Sequence, residues 1–402
     1  LYDSIELPLC AVLAEMECSG CRVDAAELTA FGEEMARRIA EKEKNIYDLA
    51  GEEFNINSPK QLGTILFDKL GIPPVKKTKS GYSTNAEVLE KLRCLYPIVD
   101  EILAYRQYAK LKSTYADGLL KEIVRDGRIH TSFQMTATAP GRLSSTEPNL
   151  QNIPTRTELG SELRRMFLPA EGCVLVDADY SQIELRLLAH MADDAAMQEA
   201  FLSGEDIHAT TAAHVFHVPL QEVTPQMRRS AKAVNFGIVY GISAFSLSKD
   251  IGVSVGEAKA YMDSYFTKYE GVKRYMEEVV EKARQQGYVE TLYHRRRPLP
   301  ELKSSNFNLR SFGERVALNM PIQGTAADII KLAMVRVWKR MKAELPEARL
   351  VLQIHDELIV ECPEGQSEQA VAILQEEMTD VAHLKVPWVA DAHVGKNWLD
   401  AK

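Results

Sequence analysis

The chain has 402 residues, of which 46% are hydrophobic and 26% charged, an ordinary composition for a globular protein with room for two or three subdomains. Its formal net charge of −9 argues against a protein that coats nucleic acid with its whole surface, although a local basic groove is compatible with it. No apolar run approaches a membrane span, and the six scattered cysteines form no paired framework, which favours a reducing cytoplasm. The chain begins at Leu1 rather than Met, and we expect an upstream part to have been removed.

The first part of the chain predicts an antiparallel helical arm. Residues 1–23 indicate a helix followed by a short extended piece. Asp24 is suited to cap a long helix that stops at Gly51, and a second long helix is predicted over about 98–124. Residues 128–133 then predict a strand.

The stretch between these two helices is basic. From residue 60 to residue 79 it contains one acid, Asp68, and five lysines: Lys60, Lys69, Lys76, Lys77 and Lys79. A solvated loop explains most runs of this kind, and a tip that contacts nucleic-acid phosphates is the functional alternative. Further on, residues 136–158 form a long polar loop around Arg142, and loops of this length in a compact chain tend to be functional.

Two acids follow a predicted buried strand in the middle of the chain. Residues 173–176 are apolar or β-branched, Asp177 and Asp179 come next, and residues 183–191 predict an amphipathic helix. A carboxylate at a strand end can hold a metal ion rigidly while the ion still meets substrate. Two solvated aspartates in a loop are the ordinary alternative. Since both acids share a strand face, their residue types do not choose between them.

A second acidic centre lies over residues 350–361. Two apolar strands flank His355, Asp356 and Glu357, which are predicted to form the tip of a hairpin. Charged residues at a hairpin tip are unremarkable alone. Here, however, the two strands would lift the acids into the same kind of position as Asp179.

A predicted helix after Thr224 and Pro225 carries a mixed stripe. Two cations and two aromatic residues recur at intervals of four: Arg228, Lys232, Phe236 and Tyr240. At 3.6 residues per turn they lie along one face over ~18 Å. An aromatic stripe is usually core, but burial would strand the two cations. The pattern therefore suits a ligand with a polyphosphate at one end and a flat ring at the other.

A later helix predicts a contact with nucleic acid. Arg315, Asn319 and Gln323 are also spaced by four and form a donor-rich edge suited to the acceptors of a minor groove. A solvated polar face explains the spacing equally well. Pro321 is expected to kink or interrupt this helix.

Strand-borne carboxylates from distant segments, together with a cationic helix, are typical of two-metal phosphoryl chemistry. Two Mg²⁺ ions ~3.5–4 Å apart can activate an attacking oxygen and stabilise a leaving one. The cationic helix would receive the leaving pyrophosphate, and the remaining polar elements would hold a duplex.

Seven short motifs resemble those of family A DNA polymerases. They are GRLSS at 141–145, PNLQNIP at 148–154, DYSQIELR at 179–186, DIH at 206–208, R-x3-K-x3-F-x3-YG at 228–241, QGTAADIIK at 323–331 and HDE at 355–357. They stand in the family's order and cover the chain from about residue 140 to its end. The N-terminal arm matches the family in pattern more than in letters.

The resemblance implies an α+β fold of the right-hand polymerase type, with an antiparallel-sheet palm, helical fingers and a helical thumb. The implied divisions are a lead-in to the palm at 1–23, a thumb at 24–135, palm at 136–200 and 315–402, and fingers at 201–314. The implied activity is template-directed addition of dNTPs to a primer 3′-OH, with release of pyrophosphate, in DNA replication and repair. The implied cofactor is a pair of Mg²⁺ ions, for which Mn²⁺ is a possible substitute.

The resemblance also implies the setting of the chain. We expect a monomer of the bacterial cytoplasm that binds primer–template DNA and dNTPs and does not bind a membrane. The family often carries a proofreading-type exonuclease domain upstream. No second acidic centre for a nuclease is visible within this sequence.

The resemblance assigns roles to individual residues, and it alone selects Asp179 over Asp177. The metal ligands would be Asp179, Asp356 and the backbone carbonyl of Tyr180, with Glu357 a nearby and less essential catalytic acid. The nucleotide would meet Arg228 and Lys232 at its triphosphate, Phe236 at its sugar and base, Tyr240 towards the template, and Gln182 and His208 around it; of these, Lys232 would also act in catalysis. Primer–template would meet Arg142, Arg315, Asn319, Gln323 and His355, to which the basic tip adds Lys76, Lys77 and Lys79. Glu184 is expected to stand unpaired near the sugar and to fill the space of a ribose 2′-OH.

Three positions depart from the family's pattern. Pro140 replaces a small polar residue, Ala209 an arginine and His294 a glycine, and none of these is a predicted metal ligand. Three other classes of protein need comparison. A two-metal nuclease or phosphatase has no need of the mixed helical stripe, Glu184 argues against a single-subunit RNA polymerase, and a non-catalytic DNA-binding module would not need three acids at strand ends.

Overall fold

A computed structural model describes residues 1–78, 81–155 and 157–402, without the side chains of Lys77 and Thr78, and Lys79 of the predicted basic tip lies outside the described residues. The helices in these ranges are α1 (Leu7–Ser19), α2 (Ala25–Ala50), α3 (Pro59–Gly63), α4 (Ala86–Glu90), α5 (Pro97–Lys110), α6 (Asp117–Glu122), α7 (Glu158–Arg165), α8 (Ile183–Met191), α9 (Ala195–Leu202), α10 (Ile207–Val215), α11 (Pro225–Val239), α12 (Ala244–Ile251), α13 (Val255–Lys268), α14 (Glu270–Gln286), α15 (Phe307–Glu344) and α16 (Ser367–Thr379). The strands are β1 (Cys21–Val23), β2 (Lys77–Thr78), β3 (Gly81–Tyr82), β4 (Arg128–Ile129), β5 (Ser132–Gln134), β6 (Ser144–Thr146), β7 (Phe167–Leu168), β8 (Cys173–Tyr180), β9 (Tyr288–Glu290), β10 (Arg296–Pro298), β11 (Arg349–Ile354), β12 (Glu357–Pro363) and β13 (Ala390–Gly395). Over the ranges described, no helix combines the length and the apolar character that a membrane crossing requires.

The chain forms two compact units. The arm unit comprises Cys21–His130 and Asn152–Leu168. The sheet unit comprises Leu1–Gly20, Thr131–Gln151 and Pro169–Lys402. Separate clusters of buried apolar side chains lie within each of them.

The arm unit contains the predicted pair of long helices. The Asp24 carboxylate accepts hydrogen bonds from two backbone amides at the start of α2, and Gly51 ends the helix in the left-handed conformation. The chain of α5 continues through a π-helical segment, Leu111–Ala116, into α6. Glu101 of α5 binds Lys42 of α2 at 3.1 Å. Arg38 lies over the ring of Tyr108, so sequence positions run in opposite directions along the two helices. The antiparallel helix pair is thereby confirmed.

The predicted single strand over 128–133 is wrong. Its first part, β4, pairs with β1 in a three-stranded sheet of the arm unit, whereas β5 pairs with β6 in the sheet unit. Thr131 lies between them, and its hydroxyl bonds to Ser145 Oγ at 2.6 Å and to Pro148 O at 2.7 Å. A continuous run of β-forming residues could not show that its two halves have different partners.

The sheet unit is built on an antiparallel sheet in the order β11-β12-β8-β13. Neighbouring side chains on β8 alternate between its two faces. Tyr180 is buried on one face, and its hydroxyl donates to the carbonyl of Met378 in α16 at 2.7 Å. Asp179, the preceding residue, therefore points to the opposite face, which carries the acids.

The structure corrects the positions of Asp177 and Asp179 relative to their strand. Both acids lie within β8 rather than after it, because backbone partners are available on both sides. Asp177 pairs with Ile359 and His393, and Asp179 pairs with Glu357 and Asp391. The predicted hairpin is confirmed, since β11 and β12 are joined at His355 and Asp356.

Helix α15 continues through Pro321, so the predicted interruption does not occur. A proline inside a helix removes one amide donor and costs about 3 kcal/mol. The hydroxyl of Thr325 donates to the Pro321 carbonyl at 2.6 Å. Pro321 and its neighbours Met320 and Ile322 are buried, and this packing holds the helix together where the backbone alone would favour a break.

The turn between β9 and β10 explains one departure from the family pattern. His294 has a φ of 63°, which lies in the left-handed region. Its amide donates to the carbonyl of Thr291 at 3.0 Å. The glycine that the resembled family's pattern has at this position would adopt this conformation without a steric penalty.

We expect His294→Gly to be more stable than His294→Ala by about 1 kcal/mol, because alanine keeps the left-handed penalty that glycine avoids. The measurement is urea unfolding followed by tryptophan fluorescence, since Trp338, Trp388 and Trp398 all lie in the same unit. The same two substitutions at Lys282, in the middle of α14, are the control and should give the opposite order. Equal stability of the two variants at position 294 would contradict the assigned turn.

Candidate active site

Antiparallel pairing brings the predicted acids together. Asp179 on the central strand β8 lies directly opposite Glu357 on one side and Asp391 on the other. Asp356 lies at the hairpin turn, where its carbonyl accepts a hydrogen bond from the amide of Tyr180 at 3.2 Å. The structure therefore brings Asp179, Asp356 and Glu357 together at one end of the strands, as predicted, and adds Asp391. The alternation of residues in the last strand could have indicated Asp391 beforehand.

These acids share an environment that disfavours negative charge. Burial raises the pKa of Asp356 to about 7, an effect that Arg142 opposes and Glu184 reinforces. Burial and the adjacent Glu357 raise the pKa of Asp177 to about 10, which favours its protonated form at neutral pH. Partial burial and the charge of Glu357 also raise the pKa of Asp179, although part of this side chain meets solvent.

Glu357 is held by groups that the sequence reasoning missed. Its Oε1 accepts from the indole of Trp398 at 3.2 Å, and its Oε2 accepts from the ammonium of Lys402 at 2.6 Å. The side chain of Glu357 is 6% exposed, so this pair of donors offsets much of the cost of burying its charge. No spacing rule connects residues so far apart in the chain.

Helix α11 presents the predicted stripe on its outer face. The cap is confirmed, because Thr224 Oγ1 accepts from the amide of Met227 at 3.2 Å and Pro225 occupies the first turn. Along the stripe, the side chains are exposed or half-buried: Arg228, Lys232, Phe236 and Tyr240. The Lys232 ammonium lies 6.0 Å from the centre of the Phe236 ring, and Arg228 Nε donates to Asp206 Oδ2 at 2.6 Å. Both cations, Arg228 and Lys232, are exposed to solvent, as the cost of burying a charge predicts.

His208 lies beneath this stripe. Its ring is 3% exposed and packs 5.7 Å from the centre of the Phe236 ring. Asn235 orients the ring, because its Oδ1 accepts from Thr211 and its Nδ2 lies 2.9 Å from His208 Nδ1. Burial lowers the pKa of His208 to about 4, so the ring is neutral near pH 7 and carries its proton on Nε2. Asn235 was not predicted, because a buried asparagine gives no periodic signal.

Glu184 is paired, contrary to the prediction. Its Oε1 binds Arg142 Nη2 at 2.6 Å, and its Oε2 accepts from the Tyr240 hydroxyl at 2.6 Å. The residue is 5% exposed, and a buried carboxylate requires partners of this kind. One side chain thus links the polar loop, the helix that follows β8 and the end of the stripe. Burial and the adjacent carboxylate raise the pKa of Tyr240.

The remaining predicted contact residues have different exposures. Arg315 and Tyr240 line a cleft of about 620 Å³ beside Phe236 and Gly241. Along α15, Arg315 is exposed, whereas Asn319 and Gln323 are half-buried. His355 is exposed at the hairpin turn and has a φ of 51°. Gln182 directly precedes α8 and has a φ of 55°. Lys76 is exposed in the arm unit.

Among the residues that the structure describes, no group of three or more His, Cys, Asp or Glu side chains is arranged to hold a metal ion. The predicted set is smaller, with two carboxylates and the Tyr180 carbonyl. Mg²⁺ usually binds through one or two carboxylates, substrate phosphates and waters, so this set of oxygen donors fits such an ion. The mutual repulsion of the acids gives a divalent cation an electrostatic role there.

Comparisons with known proteins identify the family to which this fold belongs. The chain has the fold of the POL domain of Pol1 from M. smegmatis, solved as a complex with DNA primer–template and dNTP, at a TM-score of 0.95 and 46% identity over 99% of this chain and 70% of that one. This likeness confirms the predicted α+β fold class. The model of DNA polymerase family A matches residues 25–400, and the chain belongs to that family. Family A DNA polymerases are metal-dependent.

Curated relatives agree with this assignment. The chain is 54% identical over 405 residues to DNA polymerase I of Bacillus caldotenax and 54% identical over 404 residues to DNA polymerase I of Bacillus subtilis. Both alignments cover 100% of this chain and 46% of the relative. The chain thus spans about half the length of the curated relatives it matches.

We expect the stability of Asp177→Asn relative to the wild type to rise with pH when metal is absent. A folded-state pKa of about 10 means that the folded chain keeps a proton that the unfolded chain releases. The wild-type free energy of unfolding therefore falls as pH rises from the ordinary aspartate pKa towards that value. Asparagine has no such proton. Between pH 6 and pH 9 the relative gain should reach about 1 kcal/mol or more.

The measurement is urea unfolding in EDTA at both pH values. Asp380→Asn serves as the control, because that side chain is 76% exposed in the same unit. A gain at position 177 no larger than that of the control would contradict the raised pKa of Asp177.

Proposed function

We propose that this chain is a DNA-directed DNA polymerase that adds dNTPs to a primer 3′-OH and releases pyrophosphate. The observation that carries the proposal is the bond from Tyr240 to Glu184, because it ties the end of the cationic and aromatic helix to the helix that directly follows the acid-bearing strand. A phosphate-binding face and a set of carboxylates are thus connected through two side chains. Family membership and the likeness to a polymerase domain support the same activity.

The proposed cofactor is a pair of Mg²⁺ ions, with Mn²⁺ as a possible substitute. Asp179, Asp356 and the carbonyl of Tyr180 would hold them, and when bound they would supply Lewis-acid activation of the 3′-OH and stabilise the leaving oxygen. Arg228 and Lys232, both exposed on α11, would bind the triphosphate. Electrostatic positioning of this kind supplies most of the rate in phosphoryl transfer.

The other proposed roles are those that the sequence and the family resemblance imply. Phe236 would contact the sugar and base, Tyr240 would stack on the template side, and Gln182 and neutral His208 would complete the nucleotide site. Lys232 would also act in catalysis, and Glu357 would support the metal site. Primer–template would contact a set of polar and basic side chains: Arg142, Arg315, Asn319, Gln323, His355, Lys76, Lys77 and Lys79.

The proposed divisions of the chain are those of a right-hand polymerase. Residues 24–135 would form the thumb, 201–314 the fingers, and 136–200 with 315–402 the palm, which 1–23 leads into. We also propose that the chain acts as a monomer in the bacterial cytoplasm, in DNA replication and repair.

We expect Asp179→Ala and Asp356→Ala each to reduce extension of a labelled primer at least about 10³-fold, because each removes a carboxylate from a two-carboxylate metal set. The assay contains primer–template, Mg²⁺ and either dNTPs, rNTPs or no nucleotide. Binding of primer–template should change little. Glu357→Ala should lose less activity, since its charge is already paired with Lys402.

Asp380→Ala, at an exposed acid of the sheet unit, is the matched control. Near-wild-type turnover in either Asp179→Ala or Asp356→Ala would remove the mechanism. Primer shortening without nucleotide would instead indicate a nuclease, and extension with rNTPs would indicate an RNA polymerase. Binding of the duplex with neither reaction would indicate a non-catalytic DNA-binding module.

We expect Glu184→Ala to keep measurable dNTP insertion and to raise rNTP insertion relative to dNTP by at least about tenfold, since a carboxylate that fills the space of a hydroxyl excludes it sterically. Single-nucleotide insertion of dCTP and CTP opposite template G measures the ratio. Glu184→Gln is the control, because it nearly preserves the volume of the side chain and its bond to Tyr240. A ratio that Glu184→Gln raises as much as Glu184→Ala would assign the effect to lost charge rather than lost volume.

A further inference from the structure

The turn that carries Arg142 lies directly on another arginine. Gly141 has a φ of 86°, and its amide donates to the carbonyl of Thr138 at 3.1 Å. The hydroxyl of Thr138 donates to the carbonyl of Arg142 at 2.6 Å and closes the turn. A Cβ atom at position 141 would lie 2.6 Å from both Cζ and Nε of Arg295. Glycine is therefore required both by the backbone angle and by the contact with the guanidinium.

Two acidic side chains bind the guanidinium of Arg295. Its Nε and Nη2 donate to Asp328 Oδ1 at 2.8 and 2.6 Å, and Nη2 also binds the Glu6 carboxylate. Asp328 is fully buried, and its second oxygen accepts from Thr291 at 2.7 Å. Lys331, which is also fully buried, donates to both oxygens of Glu6 at 2.8 and 3.1 Å. Two cations and two anions balance within this network, and three segments of the sheet unit supply them, since Asp328 and Lys331 both lie on α15.

A second contact fixes the same turn from the side. A Cβ atom on Gly324 of α15 would lie 3.1 Å from the carbonyl oxygen of Pro140 and 2.6 Å from Cγ2 of Thr291. The turn thus lies between the backbone of α15 and the guanidinium of Arg295. At its far end, Arg142 reaches Glu184 at 2.6 Å.

We propose that Arg295 is a positioning residue for Arg142. Its guanidinium forms the floor of the 138–142 turn, and this floor sets where the Arg142 side chain can reach. The proposal rests on the proposed function, in which Arg142 contacts primer–template. It gives a role to Arg295, which the proposed function does not use.

The role depends on the shape of the side chain as well as its charge. A guanidinium is planar and offers donors in a fixed fork, so it can bind Asp328 and Glu6 while presenting a flat surface to Gly141. An ammonium can keep one ion pair but has no plane. Arg295→Lys therefore retains a cation next to the buried acids and removes the floor, whereas Arg295→Ala would leave both acids short of a partner.

The experiment is a double-mutant cycle on first-nucleotide insertion, measured as kcat and KM for primer–template. We expect Arg142→Ala to lower kcat/KM about tenfold or more and Arg295→Lys about fivefold, mainly through KM, since a small displacement of a contact residue is enough to weaken the complex. In the combined Arg142→Ala, Arg295→Lys variant we expect no loss beyond that of Arg142→Ala. Arg296→Lys is the matched control, because this neighbour is 61% exposed, pairs with Glu290 and lies over the ring of Tyr288, away from the 138–142 turn.

The outcomes are distinguishable. Losses that multiply in the combined variant, or wild-type kinetics in Arg295→Lys, would overturn the proposal. A lower unfolding midpoint of Arg295→Lys without a kinetic loss would assign Arg295 to stability alone and would also overturn it. Failure of the wild type and of Arg296→Lys to extend a primer would overturn the proposed function, and this inference with it.

Discussion

The structure depends on a sheet register that places like charges side by side. Glu357, Asp179 and Asp391 lie in one row across three antiparallel strands. Side chains that face each other across strands are about 4.5–5.5 Å apart, and like charges at that distance destabilise the pairing. A slip of one residue would relieve the repulsion but would turn Tyr180 away from α16 and move the acids against that helix. Hydrophobic packing on one face therefore holds an unfavourable arrangement on the other.

A single buried carboxylate determines how the parts of the site are connected. Glu184 binds Arg142 and Tyr240 at once, so the polar loop and the end of α11 share one partner. If Arg142 contacts primer–template as proposed, part of its hydrogen bonding must be exchanged between Glu184 and the nucleic acid. When a largely buried ion pair loses one partner, the remaining buried charge destabilises the protein. We therefore infer that DNA contact at Arg142 and the position of Tyr240 are energetically coupled through Glu184.

Local features of the fold were predictable, because local residues determine them. The caps at Asp24 and Thr224 and the hairpin at His355 each follow from a few adjacent residues, and the structure confirms them. The errors occurred where a distant partner decides. Pro321 stays helical because its surroundings are packed, and Glu184 is paired because two segments remote in sequence meet it. The network around Arg295 was missed for the same reason, since three segments that are far apart in sequence supply its charges.

The choice between Asp177 and Asp179 illustrates what the structure adds to residue type. The two acids share a face, and pattern alone treats them alike. Asp177 is 3% exposed and lies between Ile359 and His393, and burial near Glu357 raises its pKa, which favours the protonated form. A protonated acid donates a hydrogen bond and is a poor ligand for a hard cation. Asp179 lies two residues further along the strand, is exposed to solvent and lies next to the turn that carries Asp356. Position along one strand therefore favours Asp179 over Asp177 as the ligand.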